Sequence, residues 1–173
     1  MSDIPRLIEE SNAIQFGKFK LSNGSLTDYY IDKYVFETKP AILASIVEEI
    51  SSMLSSEEID VVVGPELGAV PLVTGVSLET GIDAAFIRKG EKHYGTRARI
   101  EGTIEEGQRV AIIEDVTTTG NTVLDTATVV EAVGGVVDRT ITVVDRDENA
   151  IENVAASGYE LEALVQIGSD ITL

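Results

Sequence analysis

The sequence predicts an α/β protein with a doubly wound, mainly parallel sheet, helices on both faces and a small β-rich cap at its N-terminus. Short runs rich in Val and Ile alternate with amphipathic stretches, which is typical of buried parallel strands covered by helices. The chain has 173 residues, of which 43% are hydrophobic, so length and apolar content favour one domain with one core. We expect that domain to span 1–173, with a cap over about 1–38 and a core over about 39–173.

The strands are predicted from their apolar runs. The segment 16–32 comes first and alternates apolar with polar residues around the turn sequence SNGS, which predicts a hairpin outside the main sheet. Buried strands of the main sheet are then predicted by apolar runs, the last of them weaker, at 59–64, 83–88, 108–115, 136–145 and 160–167.

Helices are predicted between these strands. Apolar residues recur every three or four positions in 40–54, 68–81, 122–135 and 148–158. Pro40 suits the first turn of a helix, and Gly134 and Gly135 suit the end of one. Open parallel sheets bind ligands at the carboxyl ends of their strands, where the strand order reverses. The residues that follow each strand are therefore the candidates for function.

Composition excludes several classes of protein. With 30 acidic and 13 basic residues the net charge is −17, so we expect no binding to nucleic acid or to anionic membranes. No apolar run approaches the ~20 residues that cross a bilayer, and the polar start MSDIPRLIEE carries no secretory stretch, so a cytoplasmic location is expected. The chain has no cysteine and one histidine, His93, which excludes thiolate or histidine-rich metal sites and disfavours a Ser-His-Asp triad.

The excess of acidic residues has two interpretations. One is a solvated carboxylate surface that keeps the chain soluble. The other is adaptation to high salt, which screens the repulsion between so many carboxylates. The scarcity of lysine and the scatter of the acids along the chain favour the halophilic interpretation.

The segment VAIIEDVTTTGNT, 110–122, is the strongest candidate for chemistry. Its small residues allow a tight turn with inward backbone N–H groups, and a predicted helix N-terminus behind them favours an anion. The GxxxxGK[ST] pattern of a Walker A loop is absent. Glu114 and Asp115 lie where they can accept hydrogen bonds from vicinal hydroxyls. The alternative is a threonine-rich helix cap with two exposed acids.

The segment 88–102 is a basic island in an acidic chain. Its basic residues are Arg88, Lys89, Lys92, Arg97 and Arg99, with glycines between them. A mobile basic lid suits a polyanionic leaving group, because it can stabilise the charge that develops as the group departs. The alternative is a solvated loop.

Three further segments contain residues with both a functional and a structural interpretation. Gly64 and Gly68 flank a strand-to-helix turn that can present N–H groups to an anion or simply require glycine for its backbone angles. Tyr29 and Tyr30 can stack on a flat base or belong to the core. Arg146 follows a strand and is either a ligand contact or a surface charge.

These motifs resemble those of one enzyme family. EDVTTTGNT after VAII resembles the phosphoribosyl pyrophosphate (PRPP) signature of type I phosphoribosyltransferases. RKGEKHYGT…EG resembles the catalytic loop of orotate phosphoribosyltransferases, and FGKFKLSNGSLTDYYID resembles their N-terminal motif. The matching motifs run from residue 16 to about 150 in the family's order. The resemblance therefore implies the type I phosphoribosyltransferase fold.

The resemblance also implies roles for individual residues. The acids would bind the ribose hydroxyls, the loop after them the 5′-phosphate, and the basic segment the pyrophosphate. The implied PRPP-binding set is Arg88, Lys89, Lys92, Tyr94, Glu114, Asp115, Val116, Thr117, Thr118, Thr119, Gly120, Asn121 and Thr122. Catalytic roles are implied for Lys92, Arg88 and Asp115. Orotate would contact Thr118, Arg146, Tyr30 and Ile31, with Arg146 on the carboxylate.

Three positions depart from the family pattern. Relatives often carry lysine where this chain has Ser22, so that side-chain contact is lost here. Some bacterial members carry lysine at Gly68, so the pyrophosphate contact at that position would come mostly from backbone. Relatives often have histidine at the position of Tyr94, whereas here His93 precedes it, and either residue can take that role.

The implied function is orotate phosphoribosyl transfer, which gives orotidine 5′-monophosphate and pyrophosphate in pyrimidine biosynthesis. Mg²⁺ is the implied cofactor, held mainly by pyrophosphate and water rather than by protein ligands. The implied partner is a second copy of the chain, in a homodimer that shares the basic loop. Alternatives are transfer to another base, such as a purine, and nucleotide sensing without catalysis, which the basic loop disfavours.

Overall fold

The computed structural model describes residues 3–20, 24, 26–90 and 99–172. The chain begins with helix α1 (Ile4–Glu10), followed by strands β1 (Ile14–Lys20) and β2 (Leu26–Ile31). The two strands pair antiparallel and form a sheet of their own, which confirms the predicted hairpin. Short helix α2 (Lys33–Glu37) then leads to α3 (Pro40–Ser52), which begins at the proline that the sequence placed in a first turn.

Strands and helices alternate through the rest of the chain. They are β3 (Val61–Pro65), α4 (Ala69–Thr80), β4 (Asp83–Ile87), β5 (Ile100–Glu101), β6 (Arg109–Thr117), α5 (Asn121–Ala132), β7 (Val136–Asp145), α6 (Ala150–Ala156) and β8 (Leu161–Gln166). Every strand and helix predicted for this part is present. The sequence analysis did not predict α1, α2 or β5, which are all short.

The main sheet has the order β5-β4-β3-β6-β7-β8. Its strands are parallel except β5, which pairs antiparallel with β4 at the edge. Because β4 and β5 lie on one side of β3 and strands β6, β7 and β8 on the other, the strand order reverses between β3 and β6. A ligand of such a sheet binds in the crevice at the carboxyl ends of those two strands.

Helices cover both faces of this sheet, as predicted. Alternate residues of the central strands point to opposite faces, because side chains of a strand alternate. Val62 packs with α3 and α4, whereas Val63 packs with α5 and α6, and both side chains are fully buried. Ile4 and Ile8 of α1 join the first of these two core clusters. Within the described part of the chain, no helix is long and apolar enough to span a membrane.

Candidate active site

The loop between β6 and α5 encloses a cavity of about 310 Å³ at the reversal point of the sheet. Strand β6 ends at Thr117, whose side chain is buried, and the helix starts at Asn121, so its first N–H groups face the loop. The cavity is lined by Glu114, Val116, Thr117, Thr118, Thr119, Gly120, Asn121 and Thr122. The structure thus brings together, in one cavity, side chains that the sequence analysis assigned to PRPP binding.

Gly120 gives this loop its shape. It adopts φ 79°, in the left-handed region that favours glycine. A Cβ atom there would lie 2.7 Å from Val154 Cγ2 and 3.2 Å from the Ala150 carbonyl oxygen, so α6 leaves no room for a side chain. Asn153 Nδ2 of the same helix donates to the Thr119 carbonyl at 3.0 Å. Helix α6 therefore buttresses the loop from behind.

A second cavity of about 180 Å³ adjoins the first. It lies between the β3–α4 turn and the end of β6 and is lined by Lys33, Pro65, Glu66, Gly68, Lys89, Glu114, Asp115, Val116 and Thr122. Glu114, Val116 and Thr122 line both cavities, so the two form one continuous site. Glu114 lies where the two cavities meet, and Asp115 lines the smaller one.

Glu114 and Asp115 are buried, with exposed fractions of 5% and 4%, so the alternative of two exposed acids is excluded. Burial, and then the charge of Asp115, raises the pKa of Glu114 to about 8. Glu114 Oε2 has no hydrogen-bond donor among the described residues. By contrast, Asp115 accepts from the Val116 N–H at 2.6 Å and from Lys33 Nζ at 2.5 Å.

Lys33 is a functional candidate that sequence reasoning missed. It begins α2, and its Nζ atom also lies 5.5 Å from the centre of the Tyr34 ring. Burial acts to lower the pKa of Lys33, but the charges of Asp115 and Glu37 outweigh it and leave that pKa raised. Its partner Asp115 lies 82 positions away in the chain, so no local pattern in the sequence indicates that the two residues form a pair.

Glu37, at the end of α2, was also missed. Its side chain is 2% exposed, and neither carboxylate oxygen has a hydrogen-bond partner in the described part of the chain. Burial, and then the charge of Asp115, raises the pKa of Glu37 to about 8. Glu37 therefore retains its proton to a higher pH than an ordinary glutamate does.

Both described ends of the basic segment lie near the second cavity. Arg88 Nη1 lies 3.5 Å from Glu101 Oε1 and 3.9 Å from Glu66 Oε2, and Lys89 lines the cavity. At the other described end of the segment, Arg99 donates to both carboxylate oxygens of Asp125, at 3.1 and 2.5 Å. The remaining candidates of this segment, Lys92, His93, Tyr94 and Arg97, lie outside the described residues, and their roles stay predictions. The same holds for Ser22.

Arg146 is only 6% exposed, which excludes the interpretation as a surface charge. Its Nε donates to Glu148 Oε1 at 3.0 Å and its Nη2 to Thr27 Oγ1 at 3.3 Å. The guanidinium carbon lies 4.4 Å from the centre of the Tyr29 ring, within cation–π range. Its backbone N–H donates to the Thr117 carbonyl at 3.1 Å. Arg146 therefore contacts the start of the β6–α5 loop on one side and the hairpin on the other.

The two other residues assigned to orotate lie elsewhere on the hairpin. Tyr30 is 41% exposed and its ring lies 5.6 Å from that of Phe19, on the face of β2 opposite to Tyr29. Ile31 is buried in the core. The structure therefore brings Tyr29, rather than the side chain of Tyr30 or Ile31, to Arg146. Whether Tyr30 and Ile31 contact a base stays a prediction.

The oxygen donors of the site suit Mg²⁺ bound together with a substrate. Among the described residues, no group of three or more His, Cys, Asp or Glu side chains is arranged to hold a metal ion. The unpartnered Glu114 Oε2 and the neighbouring carboxylate of Asp115 are hard oxygen ligands of the kind that this ion prefers.

Comparisons with known proteins identify the same fold and chemistry. A family model described as "Phosphoribosyl transferase domain" matches residues 36–161. Orotate phosphoribosyltransferase of Natronomonas pharaonis is 41% identical over 158 residues, which cover 91% of this chain and 90% of that protein. The enzyme of that name from Methanocaldococcus jannaschii is 41% identical over 166 residues, with 96% and 94% covered.

Among solved structures, Mycobacterium tuberculosis orotate phosphoribosyltransferase in complex with PRPP superposes with a TM-score of 0.81. The two chains share 30% identity, and the match covers 99% of this chain and 98% of the other. The sheet of the present structure, its helices on both faces and its N-terminal hairpin thus constitute the type I phosphoribosyltransferase fold that the motifs predicted.

Proposed function

The chain belongs to the phosphoribosyl transferase family, and on that premise we propose how its residues carry out the reaction of an orotate phosphoribosyltransferase. It transfers the ribose 5-phosphate group from PRPP to orotate and releases pyrophosphate. The observation that carries the residue assignments is the continuous site at the reversal point of the sheet. One end of that site is an anion-binding loop, and Arg146 adjoins the loop through its bond to Thr117.

PRPP binds with its 5′-phosphate in the larger cavity. The backbone N–H groups of the loop 117–122 and the N-terminus of α5 supply donors and a favourable dipole. Val116 lines the cavity beside them. Glu114 and Asp115 accept hydrogen bonds from the ribose hydroxyls at the junction of the two cavities, and the pyrophosphate extends into the smaller one, toward Lys89.

Orotate binds between the loop and the hairpin. Arg146 donates to its carboxylate, because a guanidinium matches a planar carboxylate with two parallel hydrogen bonds. Thr118, Tyr30 and Ile31 complete the contacts to the base, the last two through the hairpin strand β2. The hydrogen bond between Arg146 and Thr117 fixes the distance between the two substrate sites, which favours a productive approach.

The reaction exchanges one bond at the anomeric carbon for another. The bond from that carbon to the pyrophosphate oxygen breaks, a bond to an orotate ring nitrogen forms, and the proton of that nitrogen is released. No protein nucleophile takes part. Arg88, Lys89 and Lys92 stabilise the charge on the departing pyrophosphate, and Tyr94 contacts the same group. Mg²⁺, when bound with PRPP, supplies further stabilisation of that charge.

Assembly and environment are part of the same proposal. The active form is a homodimer in which the basic segment reaches the site of the other copy. The protein works in the cytoplasm and is adapted to high salt. The net charge of −17 supports the halophilic part, because high salt screens the repulsion between so many carboxylates.

A panel of free bases tests the function. The chain is incubated with PRPP and Mg²⁺ together with orotate, uracil, adenine, guanine or hypoxanthine, and pyrophosphate release and nucleotide formation are both measured. We expect release with orotate and less than a hundredth of that rate with the others. Faster turnover with a purine would assign the chain to another base, and no turnover with any base would favour a nucleotide sensor.

A further inference from the structure

The smaller cavity contains a lysine that none of the motifs predicted. Lys33 and Lys89 are the two lysines that line it among the described residues, and they come from different parts of the chain. Lys89 belongs to the basic segment, whereas Lys33 starts α2, directly after the hairpin. The side chain of Lys33 is 31% exposed, so it faces the cavity instead of being enclosed by its partner Asp115.

The Lys33 ammonium occupies the space above Gly68. A Cβ atom on Gly68 would lie 2.4 Å from Lys33 Nζ and 1.5 Å from Asp115 Oδ2, so no side chain fits at that position. At Gly68 the β3–α4 turn therefore presents only backbone to the cavity, and the positive charge above this position comes from α2. A turn and a lysine that approach each other this closely can contact the same anion.

The number of donors on Lys33 fits a second ligand. A lysine ammonium has three N–H donors and no acceptor. The hydrogen bond to Asp115, at 2.5 Å, uses one of them. Glu66, Glu114 and Asp115 also line the cavity, so an incoming polyanion needs nearby cations to offset these carboxyl groups.

We propose that Lys33 binds the pyrophosphate group of PRPP directly, through N–H donors that Asp115 does not use, and so completes the pyrophosphate subsite above Gly68. The proposal rests on the proposed function, since it assigns a residue to the leaving group of that reaction. Asp115 holds the ammonium in place before the substrate arrives. Lys33 thus contacts both Asp115, which binds the ribose, and the pyrophosphate that leaves the ribose.

A purely charge-balancing role for Lys33 makes a different prediction. If Lys33 only neutralised Asp115, its removal would have no effect once Asp115 is already neutral. If Lys33 contacts pyrophosphate, the effect of its removal persists in that background. Pyrophosphate is the suitable probe because it lacks the ribose hydroxyls assigned to Asp115.

Binding of magnesium pyrophosphate to the full chain is measured by calorimetry for wild type, Lys33→Met, Asp115→Asn and the double variant. We expect Lys33→Met to weaken binding at least 10-fold both alone and in the Asp115→Asn background. Lys33→Arg should stay within about 3-fold of wild type, since it keeps the charge. Lys18→Met, at an exposed position of β1 outside the cavity lining, is the matched control and should change nothing.

Two outcomes would overturn the proposal: unchanged binding in Lys33→Met, or a loss that disappears in the Asp115→Asn background. If Lys33→Met alone unfolds because it leaves Asp115 without its partner, the double variant, which removes both charges, is compared with Asp115→Asn instead. The measurement needs neither orotate nor turnover. A wild-type chain that forms orotidine 5′-monophosphate while Lys33→Met binds pyrophosphate normally would refute only the role of Lys33.

Discussion

At the scale of single residues, buried acids set the electrostatics of the site. Glu37 and Glu114 both have a pKa raised to about 8, because water is excluded from them and Asp115 lies nearby. Asp115 itself has a cation at 2.5 Å. The cluster thus combines the Lys33–Asp115 ion pair with two carboxyl groups, Glu37 and Glu114, in which burial favours the protonated form. This arrangement limits the repulsion that a polyanionic substrate meets.

Replacement of Glu37 by glutamine should change how stability depends on pH. Glu37 keeps its proton up to about pH 8 when folded but loses it near its ordinary value of 4.5 when unfolded, so its contribution to stability falls as pH rises between these values. Glutamine does not ionise, so Glu37→Gln does not undergo this loss of stability as the pH rises. In urea unfolding, we expect Glu37→Gln to gain at least ~1.4 kcal/mol over wild type between pH 5 and pH 8, equivalent to one pKa unit.

Glu48→Gln, at an exposed position of α3, is the control and should show no such trend. A difference between Glu37→Gln and wild type that stays constant from pH 5 to pH 8 would mean that Glu37 ionises normally in the folded protein.

Replacement of Arg146 by alanine should separate the two substrates. Hydrogen bonds to charged groups contribute ~1.5–3 kcal/mol, so the KM for orotate should rise at least ~10-fold, while the KM for PRPP should stay within about 3-fold. Steady-state kinetics with each substrate varied in turn measures both. Arg139→Ala is the control, since Arg139 is on β7, the strand that Arg146 follows, but pairs with Glu162. Equal increases for both substrates would indicate that Arg146 only supports the loop.

Residue types and spacing predicted one part of this site and missed another. The motif at 110–122 is contiguous, so its residues could be assigned together from the sequence alone, and they do line one cavity. Lys33 and Glu37 come near Asp115 only through the tertiary fold, and no local pattern in the sequence records the hydrogen bond from Lys33 to Asp115. The exposure of Tyr30 likewise follows from alternation along β2, which puts Tyr29 on the side of Arg146.

At the scale of elements, the β6–α5 loop depends on close packing by α6. Gly120→Ala should lower the free energy of unfolding by at least ~2 kcal/mol, because it adds a contact of 2.7 Å to the ~1 kcal/mol cost of a left-handed alanine. It should also raise the KM for PRPP, since relief of the contact moves the loop. Urea unfolding and steady-state kinetics measure the two effects.

Gly107→Ala is the matched control for that variant. Gly107 has a similar φ of 82°, but a Cβ atom there would meet nothing within 4 Å. Gly107→Ala should therefore lose only ~1 kcal/mol and keep the KM for PRPP unchanged. If the two variants lost the same stability and neither changed the KM, the packing of α6 against the loop would not matter for binding.

The elements themselves were predictable where burial is complete. Strands β3, β6 and β7 are runs of Val and Ile because both faces of a parallel sheet are covered, and such runs are recognisable in sequence. Helix α2 has 5 residues and β5 has 2, too few for a period to stand out. Helix α1, with 7 residues, buries only Ile4 and Ile8. Their existence depends on tertiary packing, as the burial of Ile4 and Ile8 against the core indicates.

At the scale of the whole molecule, charge is the dominant feature. A net charge of −17 on 173 residues produces strong self-repulsion at low ionic strength. The Debye length falls from ~10 Å at 0.1 M to ~3 Å at 1 M, so salt screens most of it. We expect the Tm to rise steadily with KCl between about 0.1 and about 2 M at constant free Mg²⁺. A flat or falling Tm would refute adaptation to high salt and would leave the enzymatic function untouched.

The central claim is that one continuous site holds the phosphate in the β6–α5 loop, the ribose on the acids of β6 and orotate on Arg146. A crystal structure with orotidine 5′-monophosphate bound tests it most directly. We expect the phosphate within about 3.2 Å of N–H groups of the loop 117–122, a ribose hydroxyl at the same distance from Glu114 or Asp115, and the orotate carboxylate on the Arg146 guanidinium. A phosphate bound outside that loop, or a carboxylate without contact to Arg146, would contradict the claim.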